Sequence, residues 1–130
     1  MSRGVPTEHV EAAMLMRACR ALEARLPELA LLHAIPNGGK RARRTAADLK
    51  AEGVKAGVPD YFLPVARGGA HGLYVELKRT QGGRVSPEQR AWLSALEGQG
   101  YRVAVAMGWE QAFDEIRDYL AQGAANEDEA

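Results

Sequence analysis

The most constraining feature of the sequence is a strand–helix–strand pattern over residues 73–107. Residues 73–79 (LYVELKR) alternate between apolar and polar side chains, which is typical of a strand with one buried face. Residues 86–98 then open with serine, proline and, three residues after the serine, glutamine, which together predict a capped helix. Residues 101–107 (YRVAVAM) predict the second strand. Strands joined in this way pair in parallel through a right-handed crossover.

The remaining segments predict a hairpin and further helices around this unit. Residues 60–65 (DYFLPV) form a strand, and a glycine-rich loop turns the chain back from it into residues 73–79. The continuous apolar run over residues 29–35 (LALLHAI) suits a buried strand. Helical spacing or capping residues predict helices over residues 7–26, 45–53 and 110–121.

In chain order these elements alternate as α-β-α-β-β-α-β-α. The economical arrangement is an α/β fold with a small mixed β-sheet flanked by helices. A chain of 130 residues is long enough for one domain and too short for two ordinary ones. We therefore assign residues 1–123 to a single domain and expect the acidic tail, residues 124–130, to be disordered.

Composition excludes several classes of protein. Seventeen basic residues balance seventeen acidic ones, so the net charge neither favours nor opposes a nucleic-acid partner. A single cysteine, Cys19, cannot form an internal disulfide, and three scattered histidines make a closed zinc site implausible. No apolar run approaches the roughly 20 residues that cross a bilayer, and the first residues lack the apolar core of a secretory signal. We expect a cytoplasmic protein with no membrane partner and no organic cofactor.

One segment is strongly basic. Residues 40–55 contain six basic residues and two acidic ones, a local net charge of +4. Its first five residues (KRARR) follow a glycine pair and include no acid. Clustered basic side chains bind phosphate backbones without regard to sequence, through release of counterions. The residues we expect to bind the phosphate backbone of a nucleic acid are Lys40, Arg41, Arg43 and Arg44.

The candidate catalytic residues lie on the predicted hairpin. Glu76 and Lys78 are two residues apart on a strand, so their side chains project side by side. Asp60 follows a glycine–valine–proline bend and opens the partner strand, within reach of Glu76 if the strands pair with a modest offset. Leu77 packs into the core and leaves its main-chain carbonyl free. Two carboxylates and a carbonyl suit Mg²⁺ or Mn²⁺, whereas the alternative is an ion pair on a solvated strand face.

Two acids on the first helix complete this set of candidates. Glu8 projects onto the centre of the apolar stripe of that helix, and Glu11 projects onto its shoulder. A buried carboxylate without a partner is costly, so an acid on this face needs an explanation. Either acid could belong to a polar site, although an acid in the first turn is also favoured by the helix dipole.

Together these residues resemble a known family. The chain resembles the VRR-NUC (virus-type replication-repair nuclease) family, a branch of the PD-(D/E)xK nuclease superfamily, over about residues 7–112. Its length is similar to that of the stand-alone members found in bacteriophages. The resemblance rests on four motifs in order: residues 35–39 (IPNGG), 57–60 (GVPD), 76–78 (ELK) and 86–89 (SPEQ).

This resemblance implies a restriction-endonuclease-like fold and a metal-dependent DNA phosphodiesterase. Asp60 and Glu76 would bind Mg²⁺ or Mn²⁺ with the Leu77 carbonyl, and Lys78 would position or activate the attacking water. The family also has a glutamate on its first helix, for which Glu8 is the better candidate and Glu11 the alternative. Gln89 matches a family glutamine, and it is equally suited to cap its own helix beside Ser86; both roles can hold at once.

The resemblance further implies a substrate of branched or otherwise structured DNA, such as a junction or a flap, and a role in DNA repair. Cutting both strands of a junction with one site per chain would require a homodimer. Two alternatives are a sequence-preferring restriction-type endonuclease and a catalytically silent DNA-binding protein with the same fold.

Overall fold

A computed structural model describes residues 6–36 and 45–123. Within these ranges no helix combines the length and the apolar character needed to span a membrane. The elements, in chain order, are α1 (Glu8–Leu22), a 3₁₀ helix (Pro27–Leu31), β1 (His33–Ala34), α2 (Ala46–Ala51), β2 (Tyr61–Leu63), β3 (Leu73–Lys78), α3 (Pro87–Gly98), β4 (Arg102–Met107) and α4 (Trp109–Leu120).

The described strands form one sheet in the order β1-β2-β3-β4. β1 pairs with β2 and β2 with β3 in antiparallel fashion, whereas β3 and β4 are parallel. The parallel pairing runs from Leu73 opposite Arg102 to Lys78 opposite Met107. The predicted mixed α/β fold is therefore confirmed, including the parallel strands on either side of the capped helix.

The two faces of β3 have different surroundings. Leu73, Val75 and Leu77 are at most 3% exposed and belong to a hydrophobic core shared with α1 and α4. Glu76 and Lys78 lie on the opposite face because side chains alternate along a strand. Gln89, on the first turn of α3, contacts both of them, so α3 covers that face. The sheet thus separates the apolar core from a polar cluster.

The predicted strand over residues 29–35 is wrong for all but two of its residues, His33 and Ala34. The first part of this run is the 3₁₀ helix Pro27–Leu31, and the strand that follows has only two residues. Leu29 and Leu32 are buried whereas Leu31 is 51% exposed. A spacing of three residues between buried side chains matches the three residues per turn of a 3₁₀ helix. An apolar run without alternation did not distinguish the two structures.

The other predicted elements are present with small shifts of their ends. α1 ends at Leu22, four residues before the predicted end at residue 26. Leu26 has left the helical region, with φ −124° and ψ 82°, because it precedes a proline, whose ring disfavours helical backbone at the preceding residue. The remaining ends differ from the prediction by at most two residues.

Two predictions concern residues outside the described ranges. These are the basic segment, with its candidate DNA-binding residues Lys40, Arg41, Arg43 and Arg44, and the acidic tail over residues 124–130. Both therefore stay predictions, as does the assignment of residues 1–123 to a single domain.

Candidate active site

The hairpin register brings Asp60 to the end of β3. Tyr61, the first residue of β2, pairs with Val75, so Asp60 lies beside the residues of β3 that follow. Its Oδ2 accepts a hydrogen bond of 2.7 Å from the Leu77 N–H. The Asp60 carboxyl group therefore lies where β2 separates from β3, at the end of β3 that carries the other candidate residues.

Glu76 and Lys78 form a buried ion pair. Glu76 is 2% exposed and Lys78 is 6% exposed. The Lys78 Nζ lies 3.2 Å from the Glu76 Oε2. Their burial rules out the alternative of an ion pair on a solvated strand face. Burying two charges is costly unless further hydrogen bonds satisfy them, and a third side chain supplies those bonds.

That third side chain is Gln89. Its Nε2 donates to the Glu76 Oε2 at 2.9 Å, and its Oε1 accepts from the Lys78 Nζ at 2.9 Å. The same Oε1 accepts from the Ser86 N–H at 2.9 Å, while the Gln89 N–H donates to the Ser86 hydroxyl. Gln89 thus completes the capping box of α3, as predicted, and it also bridges the ion pair.

Asp60 and Glu76, which we call the carboxyl pair, influence each other strongly. The pKa of Glu76 is raised from 4.5 to about 7, chiefly because burial disfavours the charged form and also because Asp60 is close. Lys78 opposes this shift. Burial likewise raises the pKa of Asp60, although the Leu77 N–H lowers it.

One oxygen of Glu76 lacks a hydrogen-bond partner in the described part of the chain. Oε1 is buried and unpaired, whereas Oε2 has contacts with both Gln89 and Lys78. An unsatisfied buried acceptor costs about 1–3 kcal/mol. A close carboxyl pair with a free buried oxygen is a donor set that fits a hard divalent cation, which prefers oxygen ligands.

Leu77 provides one further oxygen on the same side. It lies beyond the last residue of β3 that pairs with β2, and its N–H points at Asp60. The N–H and C=O of one strand residue point to the same side of the strand. The Leu77 carbonyl is therefore directed to the side of Asp60, while its side chain is buried in the core as predicted.

Glu8 lies at the edge of the cluster. Its side chain is exposed and lines a cavity of about 230 Å³ together with Asp60 and Leu77. Its charge raises the pKa of both members of the carboxyl pair. Within residues 6–36 and 45–123, however, no three His, Cys, Asp or Glu side chains converge closely enough to hold a metal ion. Glu8 thus faces the carboxyl pair from a distance.

Glu11, and not Glu8, is the buried acid of α1. Glu11 is 2% exposed, and its two oxygens accept hydrogen bonds of 2.8 Å from the Trp109 N–H and from the Thr80 hydroxyl. The helical projection placed Glu8 nearer the buried face, and this is wrong because α1 begins at Glu8, where the helix end is open to solvent.

Two further residues that line the cavity could not be recognised from the sequence. Tyr61 and His9 contribute to its wall beside Glu8 and Asp60. Tyr61 was predicted only as a strand residue. His9 follows Glu8 on α1, and its position beside a candidate acid was the one signal that could have drawn attention to it.

Comparison with known proteins identifies the fold and the family. The profile of the VRR-NUC domain matches residues 11–110 of the chain. The chain belongs to the VRR-NUC family. A solved structure of a VRR-NUC domain protein superposes on it with a TM-score of 0.80 at 29% sequence identity, covering 93% of each chain. No curated protein sequence matches it.

Membership in the VRR-NUC family makes this protein a member of a nuclease family that generally uses divalent metal ions. The matched residues include Asp60, Glu76, Lys78 and Gln89, whereas Glu8 lies before them. The resemblance recognised from the four sequence motifs is therefore confirmed at the level of family and fold.

Proposed function

We propose that this VRR-NUC protein is a divalent-metal-dependent endonuclease that hydrolyses phosphodiester bonds in branched or otherwise structured DNA. The observation that carries the proposal is the buried, unpaired Oε1 of Glu76 beside Asp60. A buried ionisable pair without a full set of partners is unfavourable in an apo protein, and it becomes favourable when a cation binds.

The ligands of the metal would come from adjoining strands. Asp60 and Glu76 would each contribute carboxylate oxygen, and the carbonyl of Leu77 would add a neutral oxygen from the same side. This donor set contains no sulfur or nitrogen, so Mg²⁺ or Mn²⁺ suits it better than zinc. When bound, the cation would neutralise charge on the phosphate and lower the pKa of a bound water.

Lys78 is the candidate for orienting the attacking water. Its Nζ is held between the Glu76 carboxylate and Gln89, so the ammonium group has a fixed position in a site with little solvent. A fixed cation close to the reacting phosphate also stabilises the negative charge that develops in the transition state. Gln89 holds the side chains of Lys78 and Glu76 in place because it makes a hydrogen bond to each of them.

Glu8 would act from the other wall of the cavity. It lines the same space as Asp60 and Leu77 and remains exposed, so it can reach a water or a second cation there. The cavity, at about 230 Å³, has room for a phosphate group with its waters but not for a duplex. The DNA strand to be cut must therefore approach the cavity with its phosphate backbone first.

The preference for branched DNA and the homodimer belong to the same proposal. They follow the family resemblance, and no helix-turn-helix or zinc finger was found in the sequence that would read bases. The basic residues Lys40, Arg41, Arg43 and Arg44 would bind phosphates without regard to sequence. A two-fold dimer would present two sites to the two strands of a junction.

A cleavage panel tests the proposal. Linear, flap, splayed and four-way DNA substrates are incubated at equal concentration with Mg²⁺, with Mn²⁺ or with chelator. We expect cleavage only with a metal, and faster cleavage of the branched substrates. Equal cleavage of linear and branched DNA would favour a sequence-preferring nuclease. DNA binding without cleavage, unchanged in Lys78→Ala, would favour a catalytically silent protein.

A further inference from the structure

The buried acid Glu11 has a position that the proposed chemistry leaves unexplained. Its carboxylate joins three segments that are far apart in sequence. It belongs to α1, accepts a hydrogen bond from Thr80 just after β3, and accepts a second from Trp109 at the start of α4. The two partners are 69 and 98 residues away from Glu11 along the chain.

The hydrogen bond from the Trp109 N–H to the Glu11 carboxylate caps the start of α4 with a side chain from another helix. The residue before α4 is Gly108, which has no side chain, so α4 has no side-chain cap of its own. The first N–H groups of a helix have no partner within it, and the positive end of the helix dipole favours a carboxylate there. Glu11 supplies that carboxylate, which explains why an acid is stable at 2% exposure.

The same junction includes the main chain of Lys78. The Gly108 N–H donates to the Lys78 carbonyl at 2.8 Å. Gly108 adopts φ +95°, and a Cβ atom there would lie 2.9 Å from the Thr80 hydroxyl and 3.8 Å from both Glu11 oxygens. Only glycine fits this close approach. The end of β3, the start of α4 and the first turns of α1 are therefore packed directly on one another.

This junction lies one helical turn from Glu8 and two residues from Lys78. We propose that Glu11 is a positioning residue, whose carboxylate fixes the start of α1 against the end of β3 and so places Glu8 opposite the carboxyl pair. This inference rests on the proposed metal-dependent function. Without the Glu11 contacts the start of α1 could shift, and Glu8 would no longer face the cation that the carboxyl pair would hold.

The test compares metal binding with folding in the full-length protein. Mn²⁺ binding is measured by calorimetry without DNA, and cleavage is measured over a range of Mg²⁺ concentrations. Glu11→Ala removes both contacts, Thr80→Val removes one, and Glu11→Gln retains the shape and an acceptor oxygen. Tyr119→Phe is the matched control, because it removes a buried hydrogen bond of 2.6 Å to the Val65 carbonyl elsewhere in the core.

We expect Glu11→Ala to weaken Mn²⁺ binding by about tenfold, the lower end of the 10–100-fold effect of changes around the ligands of a metal site, because Glu8 would no longer face the bound cation. The Mg²⁺ concentration that gives half-maximal cleavage rises by a similar factor, while the rate at saturating Mg²⁺ changes little. Thr80→Val changes the Mn²⁺ affinity and the half-maximal Mg²⁺ concentration in the same directions but by smaller factors. Glu11→Gln keeps both quantities near their wild-type values. Tyr119→Phe lowers the melting temperature but changes neither Mn²⁺ binding nor the Mg²⁺ dependence of cleavage.

Two results would overturn the inference. If Glu11→Ala, or Thr80→Val should the former fail to fold, binds Mn²⁺ no more weakly than Tyr119→Phe, then Glu11 only stabilises the fold. If a folded Glu11→Ala does not cleave at any Mg²⁺ concentration, Glu11 acts in the reaction itself. A wild-type protein that neither binds Mn²⁺ nor cleaves DNA would instead refute the proposed function.

Discussion

Single residues of the carboxyl pair are the most direct points at which to test the site. Asp60→Asn and Glu76→Gln each remove one negative charge at nearly constant volume. We expect either change to reduce cleavage more than about 100-fold, because losing a metal ligand exceeds the 10–100-fold effect of losing one of its partners. DNA affinity, measured in chelator, should remain within about twofold, since the charges that bind DNA lie elsewhere.

The exposed acids Asp118 and Glu97 supply matched controls for these two substitutions. Asp118→Asn and Glu97→Gln make the same chemical change on the surfaces of α4 and α3, and both should cleave at the wild-type rate. A fully active Asp60→Asn protein would remove Asp60 from the site.

The raised pKa of Glu76 also predicts how stability depends on pH. Between its ordinary value of 4.5 and about 7 in the folded state, Glu76 holds its proton more tightly when folded. The folded protein therefore binds more protons than the unfolded chain in this window, and its stability falls as pH rises. The loss attributable to Glu76 amounts to at most about 3 kcal/mol.

Thermal unfolding in chelator measures this effect. We expect the melting temperature to decline from pH 5 to pH 8, and Glu76→Gln, which is neutral throughout, to show a flatter profile and a higher melting temperature at pH 8. Saturating Mg²⁺ should remove most of the decline, because the cation replaces the proton. A melting temperature that rises with pH across this window would contradict the raised pKa of Glu76.

At the scale of elements, the bend before β2 determines where Asp60 lies. Gly57 in that bend has φ +96°, and a Cβ there would lie 2.8 Å from the main-chain carbonyl group of Glu88 on α3. Gly53 has a similar φ of +99° with nothing within 4 Å. The two glycines therefore differ in packing and not in backbone strain.

Alanine substitution separates these two contributions. Gly53→Ala should lower the free energy of unfolding by about 1–2 kcal/mol, the cost of left-handed backbone. Gly57→Ala should lower it by about 1–3 kcal/mol more, the typical penalty for overpacking, and should weaken Mn²⁺ binding. Urea unfolding measures the first effect and calorimetry the second. Equal losses in the two variants would mean that the bend does not pack on α3.

The elements differ in how far the sequence could predict them. Helix starts with local capping chemistry were predictable, and the hydrogen bonds of Ser86 and Thr45 match the capping boxes of α3 and α2. The run from residue 29 to 35 was not, because a continuous apolar stretch fits a strand as well as a turn of helix. There, Pro27 and the burial of every third side chain decided the outcome.

At the scale of the whole molecule, the predictable part of the site is the part built from neighbouring strands. Alternation along β3 and the hairpin register placed Asp60, Glu76 and Lys78 together. The contacts of Glu11 join residues that are far apart in sequence, so no local sequence pattern predicts these contacts. The packing of α1 against α4 and the end of β3 buries Glu11, whereas Glu8 is exposed because α1 begins there.

The balanced total charge makes DNA binding dependent on local clusters. Replacing Arg41, Arg43 and Arg44 by alanine should weaken binding and reduce the slope of log affinity against log salt concentration by about 2–3, close to one unit per lost phosphate contact. Filter binding of the Lys78→Ala protein at several salt concentrations measures this slope without cleavage. Arg25→Ala serves as a single-charge control, and an unchanged slope in the triple variant would show that the segment does not contact phosphate.

Gln89 belongs both to the cap of α3 and to the network around Lys78. Helix ends open at lower free-energy cost than the centre of a domain does. When the first turn of α3 unwinds, the Gln89 side chain loses its hydrogen bonds to Glu76 and Lys78, although the sheet remains intact. Warming should therefore inactivate the protein several degrees before it melts, and the thermal limit of its activity would reflect one helix end and not the whole fold.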